Sequence, residues 1–316
     1  MIDWISWHSH LLNDKVRMRT YKRAIEKAVD PGDVVLDVGT GSGIMAMFAC
    51  QAGARRVYAV ELEDIIHTAS RLAEENGFGD KIVFLHKDVT RIKLPEKVDV
   101  ITSELISDNG PGENMAKLIN RCRDRFLKPN GRIVPLRVDM RIAPIQDVAA
   151  YRRVSLPGKA AYGIDFTSCE QRLRNLWVRS RSVEQTFFAP GQTLYRYEAH
   201  TSSRPDRFTG TLIFNVKKKG TFHGYSSWFD SILAEGVPLT NKPPAELCWS
   251  TIFYPLAEPA MVAPGMTIEL KFYGRYDLPM MEQNNGTCTW NTTVRKGEKI
   301  IVRHKQSLLL ADVSLS

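Results

Sequence analysis

The stretch "VVLDVGTGSGIMAMFA", residues 34–49, joins a strand pattern to a helix pattern through a turn rich in glycine. Val34 to Val38 form an apolar run of strand length, and the run that begins at Ile44 has helical spacing and stops at Gly53. Glycines in the turn let the backbone come close to a ligand. The stretch therefore predicts the first strand, turn and helix of an α/β domain, with a ligand bound at the turn.

The alternation of strand and helix patterns continues along the first half of the chain. The strand patterns are "RRVYAVEL" (55–62), "KIVFLHKDV" (81–89), "KVDVITSE" (97–104) and "GRIVPLRV" (131–138), and the helical patterns are "EDIIHTASRLAEENGF" (63–78) and "NMAKLINRCRDRFLKP" (114–129). This order predicts a Rossmann-like, doubly wound parallel sheet with its ligand at the carboxyl ends of the strands.

From about residue 138 the chain reads as a series of strands separated by Gly, Pro and Asn turns. The strand patterns are "TLYRYEAHTS" (193–202), "TGTLIFNVK" (209–217), "GTFHGYSSWFD" (220–230), "STIFYPLAE" (250–258), "TIELKFYGR" (267–275), "GTCTWNTTVRK" (286–296) and "IIVRHKQSLLL" (300–310). They predict an antiparallel β-barrel, with a β-sandwich as the alternative. The predicted domains are 1–137, a cofactor-binding domain with an N-terminal helical segment, and 138–316, the β domain. A ligand cleft is expected at their junction.

The net charge of +8 is compatible with binding to nucleic acid or to an acidic partner. The dense basic run is KKKG at 217–220, and a looser series of arginines lies between 172 and 181. No nucleic-acid motif accompanies either, so both are interpreted as solvated surface and no nucleic-acid partner is predicted.

Membrane and metal binding are not indicated by the sequence. No apolar run reaches the roughly 18 to 20 residues of a membrane span. The five cysteines are scattered and never form a CxxC, which predicts free thiols in a reducing cytoplasm. His8 and His10 form an HxH pair, but no cysteine or carboxylate cluster completes a site around them, so no metal is predicted.

Acidic residues at the ends of the first three strands indicate which ligand the turn binds. A dinucleotide fingerprint requires glycine at position 44, where Ile44 stands. Asp37 suits a ligand that carries an ammonium and a sulfonium, Glu61 can accept from two ribose hydroxyls, and Asp88 can accept from an adenine amino group. The ligand is therefore predicted to be S-adenosyl-L-methionine, although Asp37 and Glu61 could instead cap helices or bind backbone amides. The residues predicted to bind this cofactor are Asp37, Gly39, Gly41, Gly43, Glu61, Asp88 and Val89.

Two glutamates, Glu104 and Glu113, lie at the two ends of the polar stretch "LISDNGPG". Two close carboxylates repel each other unless a cation lies between them, and a guanidinium is a planar cation whose donors match carboxylates. The pair is therefore predicted to clamp a guanidinium and to accept the proton that its nitrogen loses on methylation. Two alternatives stay open, in which Glu113 caps the helix that starts near residue 114 and Glu104 binds backbone amides.

Over most of its length the chain resembles the protein arginine methyltransferases. The resemblance rests on "LLNDKVRMRTYKRAI" (11–25), "VVLDVGTGSGIMAMFACQAGARRVYAVE" (34–61), "LPEKVDVITSE" (94–104) followed by Glu113, "GTFHGYSSWFD" (220–230) and "APGMTIELKFYG" (263–274). It implies a methyltransferase domain followed by a β-barrel, with Arg17 holding the cofactor carboxylate and Trp249 and Asp108 near the acceptor cleft. It also implies a helical dimerisation arm at about 160–178, and hence a homodimer.

The chain departs from this family around the methyl acceptor. The loop 105–112 lacks the family's large apolar residues, and Leu247 stands where the family has a histidine. The predicted reaction is methyl transfer to a guanidino nitrogen of arginine, either in a protein or peptide or as a free small molecule. One alternative is a methyltransferase acting on an amine or hydroxyl of a small molecule. The other is a cofactor-binding interaction module with weakened catalysis.

Overall fold

The computed structural model describes residues 4–112, 114–156, 161–203, 207–275 and 288–308. The chain begins with two helices, α1 (Trp4–Asn13) and α2 (Lys15–Ala28). Asp14 caps α2 by accepting a hydrogen bond from the Arg17 amide at 2.8 Å. Apolar residues spaced by three and four positions, from Tyr21 to Ala28, form the buried face of α2.

The first half of the chain forms a parallel sheet with helices between its strands. Its strands are β1 (Val34–Val38), β2 (Arg56–Glu61), β3 (Ile82–His86), β4 (Val98–Ser103) and β5 (Leu127–Val134), and the helices are α3 (Ile44–Gln51), α4 (Ile65–Glu75) and α5 (Met115–Phe126). The order β3-β2-β1-β4-β5 reverses direction next to β1, and ligands of such sheets bind at this switch point. The predicted doubly wound sheet is confirmed.

The second half is built from antiparallel strands, as predicted. They are β6 (Arg137–Gln146), β7 (Val178–Ser180), β8 (Thr186–Phe187), β9 (Gln192–Glu198), β10 (Arg207–Asn215), β11 (Gly220–Ala234), β12 (Val237–Thr240), β13 (Thr251–Val262), β14 (Met266–Arg275), β15 (Cys288–Lys296) and β16 (Lys299–Ser307). Among the described residues, one sheet has the order β7-β13-β11-β6-β8, with β12 on β11 and β9 on β6, and the other has the order β10-β14-β15-β16. Buried aromatic side chains, including Trp228 and Trp290, lie in this domain.

The predicted strand at 131–138 is wrong in one respect, because it is two strands in two different sheets. β5 ends at Val134 and pairs with β4, whereas β6 begins at Arg137 and pairs with β11. Pro135 lies between them and cannot donate to a strand ladder, which favours a break at this point. The domain boundary at 137/138 stays a prediction and falls at the start of β6.

The two halves share part of one apolar core. Helix α2 packs against β11 and β12, and Tyr21 and Ile25 belong to the same buried cluster as Phe229 and Leu233. This packing places α2 between the carboxyl edge of the parallel sheet and the β domain, so a side chain on α2 can reach both.

The segment predicted as a dimerisation arm is helical only in part. A 3-10 turn at Ala161–Gly163 precedes α7 (Thr167–Leu173), and residues 157–160 lie outside the described residues. Leu173, Leu176 and Trp177 pack half-buried against the chain's own cores. Tyr162 and Ile164 are 85% and 55% exposed, so the outer part of the segment offers an apolar surface.

A short helix in the β domain, α6 (Val148–Arg152), was not predicted. In the part of the chain that the structure describes, every helix is too short or too polar to cross a membrane.

Candidate active site

The glycine turn after β1 has the backbone geometry that only glycine adopts easily. Gly39, Gly41 and Gly43 have φ angles of 69°, 53° and 80°, in the left-handed region. A Cβ atom on Gly41 would lie 2.4 Å from Cε1 of His8, so the imidazole of α1 lies directly over the turn. Sequence reasoning considered His8 only as a metal ligand and missed this contact. The signal available was its place just before the segment that resembles the family.

Asp37 lies buried beneath the turn and braces it. Its Oδ2 accepts from Thr40 Oγ1 at 2.5 Å, and its Oδ1 accepts from Thr102 Oγ1 at 2.7 Å. Burial raises the pKa of Asp37 to about 6, although both threonine hydrogen bonds oppose the rise. Asp37 therefore links β1, the turn and β4. Its predicted contact with a cationic cofactor stays a prediction.

Glu61, at the end of β2, binds backbone amides in this structure. Its Oε2 accepts from the Gly41 amide at 2.9 Å, and its Oε1 accepts from the Leu62 and Glu63 amides at 2.7 and 3.1 Å. These bonds correspond to the alternative in which Glu61 holds the backbone. They also fix its carboxylate beside the glycine turn, where the predicted contact with a ribose would be made.

Asp88 and Val89 complete the same edge of the sheet. Asp88 begins a 3-10 turn and accepts from the Thr90 amide at 2.7 Å, which holds the pKa of its carboxyl below the usual value. Val89 is buried. The parallel register brings the ends of β1, β2 and β3 together, so the structure gathers Asp37, Glu61 and Asp88 along one edge.

Arg17 on α2 forms an ion pair with Glu104, which follows β4. Nη2 of Arg17 donates to Oε2 of Glu104, and Nη1 donates to the Leu11 carbonyl at 3.1 Å. Arg17 is 4% exposed. Burial acts to lower the pKa of Arg17, but the Glu104 carboxylate outweighs burial and the net direction is upward. Two residues predicted for different roles are therefore direct partners.

Several buried polar atoms around this pair have no hydrogen-bond partner among the described residues. They are Arg17 Nε, Tyr21 Oη, Ser103 Oγ and Glu104 Oε1. Burial, and next the charge of Glu104, raise the pKa of Tyr21 well above its usual value, so its hydroxyl keeps its proton. Unsatisfied buried donors and acceptors are costly, and their clustering indicates a place for a polar ligand. A ligand with both a carboxylate and an ammonium, such as the amino-acid end of S-adenosyl-L-methionine, fits this set.

Glu113, the second predicted carboxylate, lies outside the described residues. Helix α5 has Asn114 as its N-cap, with a φ of 55° and no side-chain capping hydrogen bond. The alternative in which Glu113 caps this helix therefore stays a prediction. The predicted clamp role of Glu113 stays a prediction.

The polar loop after Glu104 is attached to the β domain by Asp108. Its Oδ1 accepts from the Ser250 amide at 2.8 Å, its Oδ2 accepts from Arg179 Nε at 2.6 Å, and its carbonyl accepts from Asn241 Nδ2 at 2.6 Å. Ser107 and Gly110 close a tight turn around it. Its carboxylate is thus engaged in anchoring the loop. Sequence reasoning assigned Asp108 to the acceptor cleft, and that role stays a prediction.

Trp249 lies at the same junction. Its Nε1 donates to the Ile106 carbonyl at 2.9 Å, and its ring centre is 5.6 Å from Cζ of Arg17. Leu247, in the position where a histidine was expected, is buried. A cavity of about 600 Å³ opens beside this segment and is lined by residues of α1 and α2, of 180–183 and of 241–251.

Among the described residues, three side chains of the kinds that bind metal ions lie together close to the ends of β2 and β3. Asp64, His67 and His86 are all exposed, and their ligand atoms lie within 4.8 Å of one another. His86 Nε2 also lies 3.0 Å from the Leu62 carbonyl. The prediction of no metal site did not consider these three residues.

The strand order, the glycine turn and the acids at the strand ends define a class I methyltransferase domain. A family model described as Ribosomal protein L11 methyltransferase (PrmA) matches residues 22–134. Probable protein arginine N-methyltransferase 6 of Arabidopsis thaliana is 33% identical over 231 residues, which cover 71% of this chain and 53% of that protein. Probable protein arginine N-methyltransferase 6.2 of Oryza sativa subsp. indica is 32% identical over 252 residues, which cover 77% of this chain and 64% of that protein.

Solved structures share the whole architecture. The Trypanosoma brucei PRMT1 enzyme–prozyme heterotetrameric complex with AdoHcy matches with a TM-score of 0.83 at 24% identity, covering 95% of this chain and 96% of that one. Protein arginine methyltransferase 10 of Arabidopsis thaliana matches with a TM-score of 0.80 at 25% identity and the same coverage. The chain belongs to the protein arginine methyltransferase family, and it spans only 53% to 64% of the length of the two curated relatives described above.

Proposed function

We propose that this protein transfers a methyl group from S-adenosyl-L-methionine to a guanidino nitrogen of arginine. The main support for this proposal is the hydrogen bonding of the Glu104 carboxylate. One oxygen of its carboxylate already binds a guanidinium, that of Arg17, and the other oxygen is buried without a partner among the described residues. We assign this second oxygen to the guanidinium of the acceptor.

The cofactor would be held by the residues at the strand ends. Arg17 can bind its carboxylate, Glu61 its ribose, and Asp88 and Val89 its adenine, while the glycine turn lets the backbone approach it. S-adenosyl-L-methionine supplies an electrophilic methyl group on a sulfonium. The solved Trypanosoma brucei complex contains AdoHcy, the product form of such a cofactor, which supports the choice.

A second acid would help Glu104 to hold the acceptor. An arginine acceptor would bring a second guanidinium close to the Arg17–Glu104 pair, and two carboxylates can bind its planar donors from two sides. Glu113 lies nine positions after Glu104 in the sequence, at the other end of the same loop. We assign it the second side of the clamp. Glu104 and Glu113 would orient the acceptor, stabilise its charge and accept the released proton.

The acceptor arginine is in a protein or peptide, or is free as a small molecule. The names of the relatives favour protein arginine, since one of them is the Histone-arginine methyltransferase CARMER of Drosophila persimilis, 33% identical over 282 residues. The net charge of +8 and the polar loop 105–112 favour a small acceptor, because a basic protein repels basic tails at long range.

We further propose a homodimer through residues 160–178 and a cytoplasmic location. The dimer is supported by the exposed Tyr162 and Ile164, and the match to a heterotetrameric complex shows that a relative assembles. The location is supported by the five cysteines, all of which are free thiols in the structure.

Methyl transfer from labelled S-adenosyl-L-methionine tests the function. The acceptors are an arginine peptide, the same peptide with lysine, free arginine and a mixture of small amines, and mass spectrometry reads the products. Labelling of an arginine acceptor that is lost in Glu104→Gln supports the proposal. Labelling of the amines alone would replace it with the small-molecule alternative.

A further inference from the structure

We propose that Arg179 and Arg181 are positioning residues. They would fix the loop 105–112, which follows Glu104, relative to the loop 247–251, which carries Trp249. Arg179 Nε donates to Asp108 Oδ2 at 2.6 Å, in the loop that follows Glu104. Arg181 Nη2 donates to the Cys248 carbonyl at 3.0 Å, and its Nε donates to Ser250 Oγ at 3.2 Å, in the loop that carries Trp249. The proposal rests on the proposed function, because it concerns the acceptor side of that site.

The two arginines reach the loops from one strand. Arg179 lies in β7 and Arg181 directly follows it, so the two side chains alternate with Ser180, which is buried and pairs with Thr251. β7 lies at the end of its sheet, next to β13. The pairing of β7 with β13 therefore fixes the backbone from which both arginine side chains extend.

The contacts close into one network. Asp108 Oδ1 accepts from the Ser250 amide at 2.8 Å, so the loop that Arg179 contacts and the loop that Arg181 contacts are also bonded directly to each other. The Asp108 side chain is 13% exposed, whereas that of Arg179 is 53% exposed. A guanidinium suits this place, because its planar donors fix direction as well as charge.

The network is connected to the predicted catalytic residue Glu104 through Trp249 and Ile106. Trp249 donates to the Ile106 carbonyl, and Ile106 is two residues after Glu104. Ile106 packs in the apolar core, whereas residues 107–110 of the same loop are small or polar and are attached by hydrogen bonds. Without the arginines the loop would keep its fold, but the Glu104 carboxylate would be placed less accurately, and small misplacements of catalytic groups reduce rates strongly.

Hydrogen exchange measured by mass spectrometry, together with steady-state kinetics, tests the proposal. The variants are Arg179→Ala, Arg181→Ala and the conservative Arg179→Lys. Arg303→Ala is the matched control, since Arg303 is an exposed arginine on β16, at the end of the other sheet. Exchange in peptides covering 105–112 and 247–251 should rise about fivefold in both alanine variants, remain normal in the control and be partly restored by lysine. Turnover should fall about three- to tenfold with unchanged binding of S-adenosylhomocysteine.

The outcomes separate this proposal from the proposed function. Normal exchange of both loops in the alanine variants would overturn the positioning role, as would faster exchange spread over all the strands of the β domain. A third outcome combines two results. If exchange rises only in the two loops of the alanine variants, but the wild-type protein methylates no arginine acceptor, the positioning network is retained and the proposed function is rejected.

Discussion

Arg17 on helix α2 and Glu104 at the end of β4 form a buried ion pair between residues 87 positions apart. The pair joins the N-terminal helices to the edge of the parallel sheet where the ligand is predicted to bind. It also gives Arg17 two functions, because the same guanidinium that is predicted to hold the cofactor carboxylate orients a predicted catalytic acid.

Breaking this pair from the arginine side should be costly. Arg17→Met would leave the Glu104 carboxylate buried without its partner, and the free energy of unfolding should fall by about 3 kcal/mol. Lys22→Met on the same helix is the matched control, because the pair of Lys22 with Glu26 is half exposed and its N–O distance is 3.9 Å, so the expected change is below about 0.5 kcal/mol. Urea unfolding measures both, and equal effects would show that the buried pair is not a stabilising contact.

Asp37 should make stability depend on pH. Its pKa is raised to about 6 in the folded protein, so the carboxyl stabilises the fold fully below its unfolded pKa near 4 and loses this contribution as the pH rises through 6. Relative to Asp37→Asn, the wild-type free energy of unfolding should fall by about 2 kcal/mol between pH 4 and pH 6.5. Unfolding curves of the two proteins at matched pH values measure this difference. Parallel pH profiles would rule out a raised pKa.

Glu61 should contribute to cofactor affinity in two ways. Glu61→Ala removes the acceptor for the Gly41 amide and the predicted contact with the ribose. We expect S-adenosylhomocysteine to bind about ten- to a hundredfold more weakly, as measured by calorimetry. Glu63→Ala, two residues further on, is the control and should bind normally. A loss of less than twofold in Glu61→Ala would contradict both roles.

The apolar surface of the arm segment should be buried in a dimer. Light scattering at micromolar concentration should give about twice the mass of one chain for the wild type, and the mass of one chain for Ile164→Ser. Ile213→Ser is the control, since Ile213 is equally exposed, at 56%, but lies on β10 away from the segment. A wild type that is monomeric under these conditions would refute the homodimer.

Local patterns in the sequence predicted the fold, because each strand and helix carries its own periodicity. The run from Val34 to Ile44 specifies strand, turn and helix within a few residues, and the structure has β1 and α3 at these places. A single strand was predicted over 131–138 because the apolar pattern continues through Pro135 from one sheet into the next. Short strands such as β8, two residues long, carry no periodic signal.

The parts of the candidate site that depend on contacts between distant residues could not be predicted from the sequence. The strand-end acids could be placed because parallel strands end at a common edge, and the structure gathers Asp37, Glu61 and Asp88 there. The pairing of Arg17 with Glu104 and the contact of His8 with the glycine turn depend on how α1 and α2 pack, and no local pattern specifies this packing. The same holds for Asp108, whose partners are more than 70 positions away.

The central claim is that Glu104 and Glu113 act together on one guanidinium, and single-turnover methyl transfer to the identified arginine acceptor tests it most directly. Glu104→Gln and Glu113→Gln should each slow transfer about a hundred- to a thousandfold, and the double variant should cost much less than the product of the two. Glu113→Gln should bind S-adenosylhomocysteine and unfold like the wild type, because the predicted partner of Glu113 is the acceptor. Near-normal transfer in Glu113→Gln would contradict the clamp and remove the main reason for an arginine acceptor.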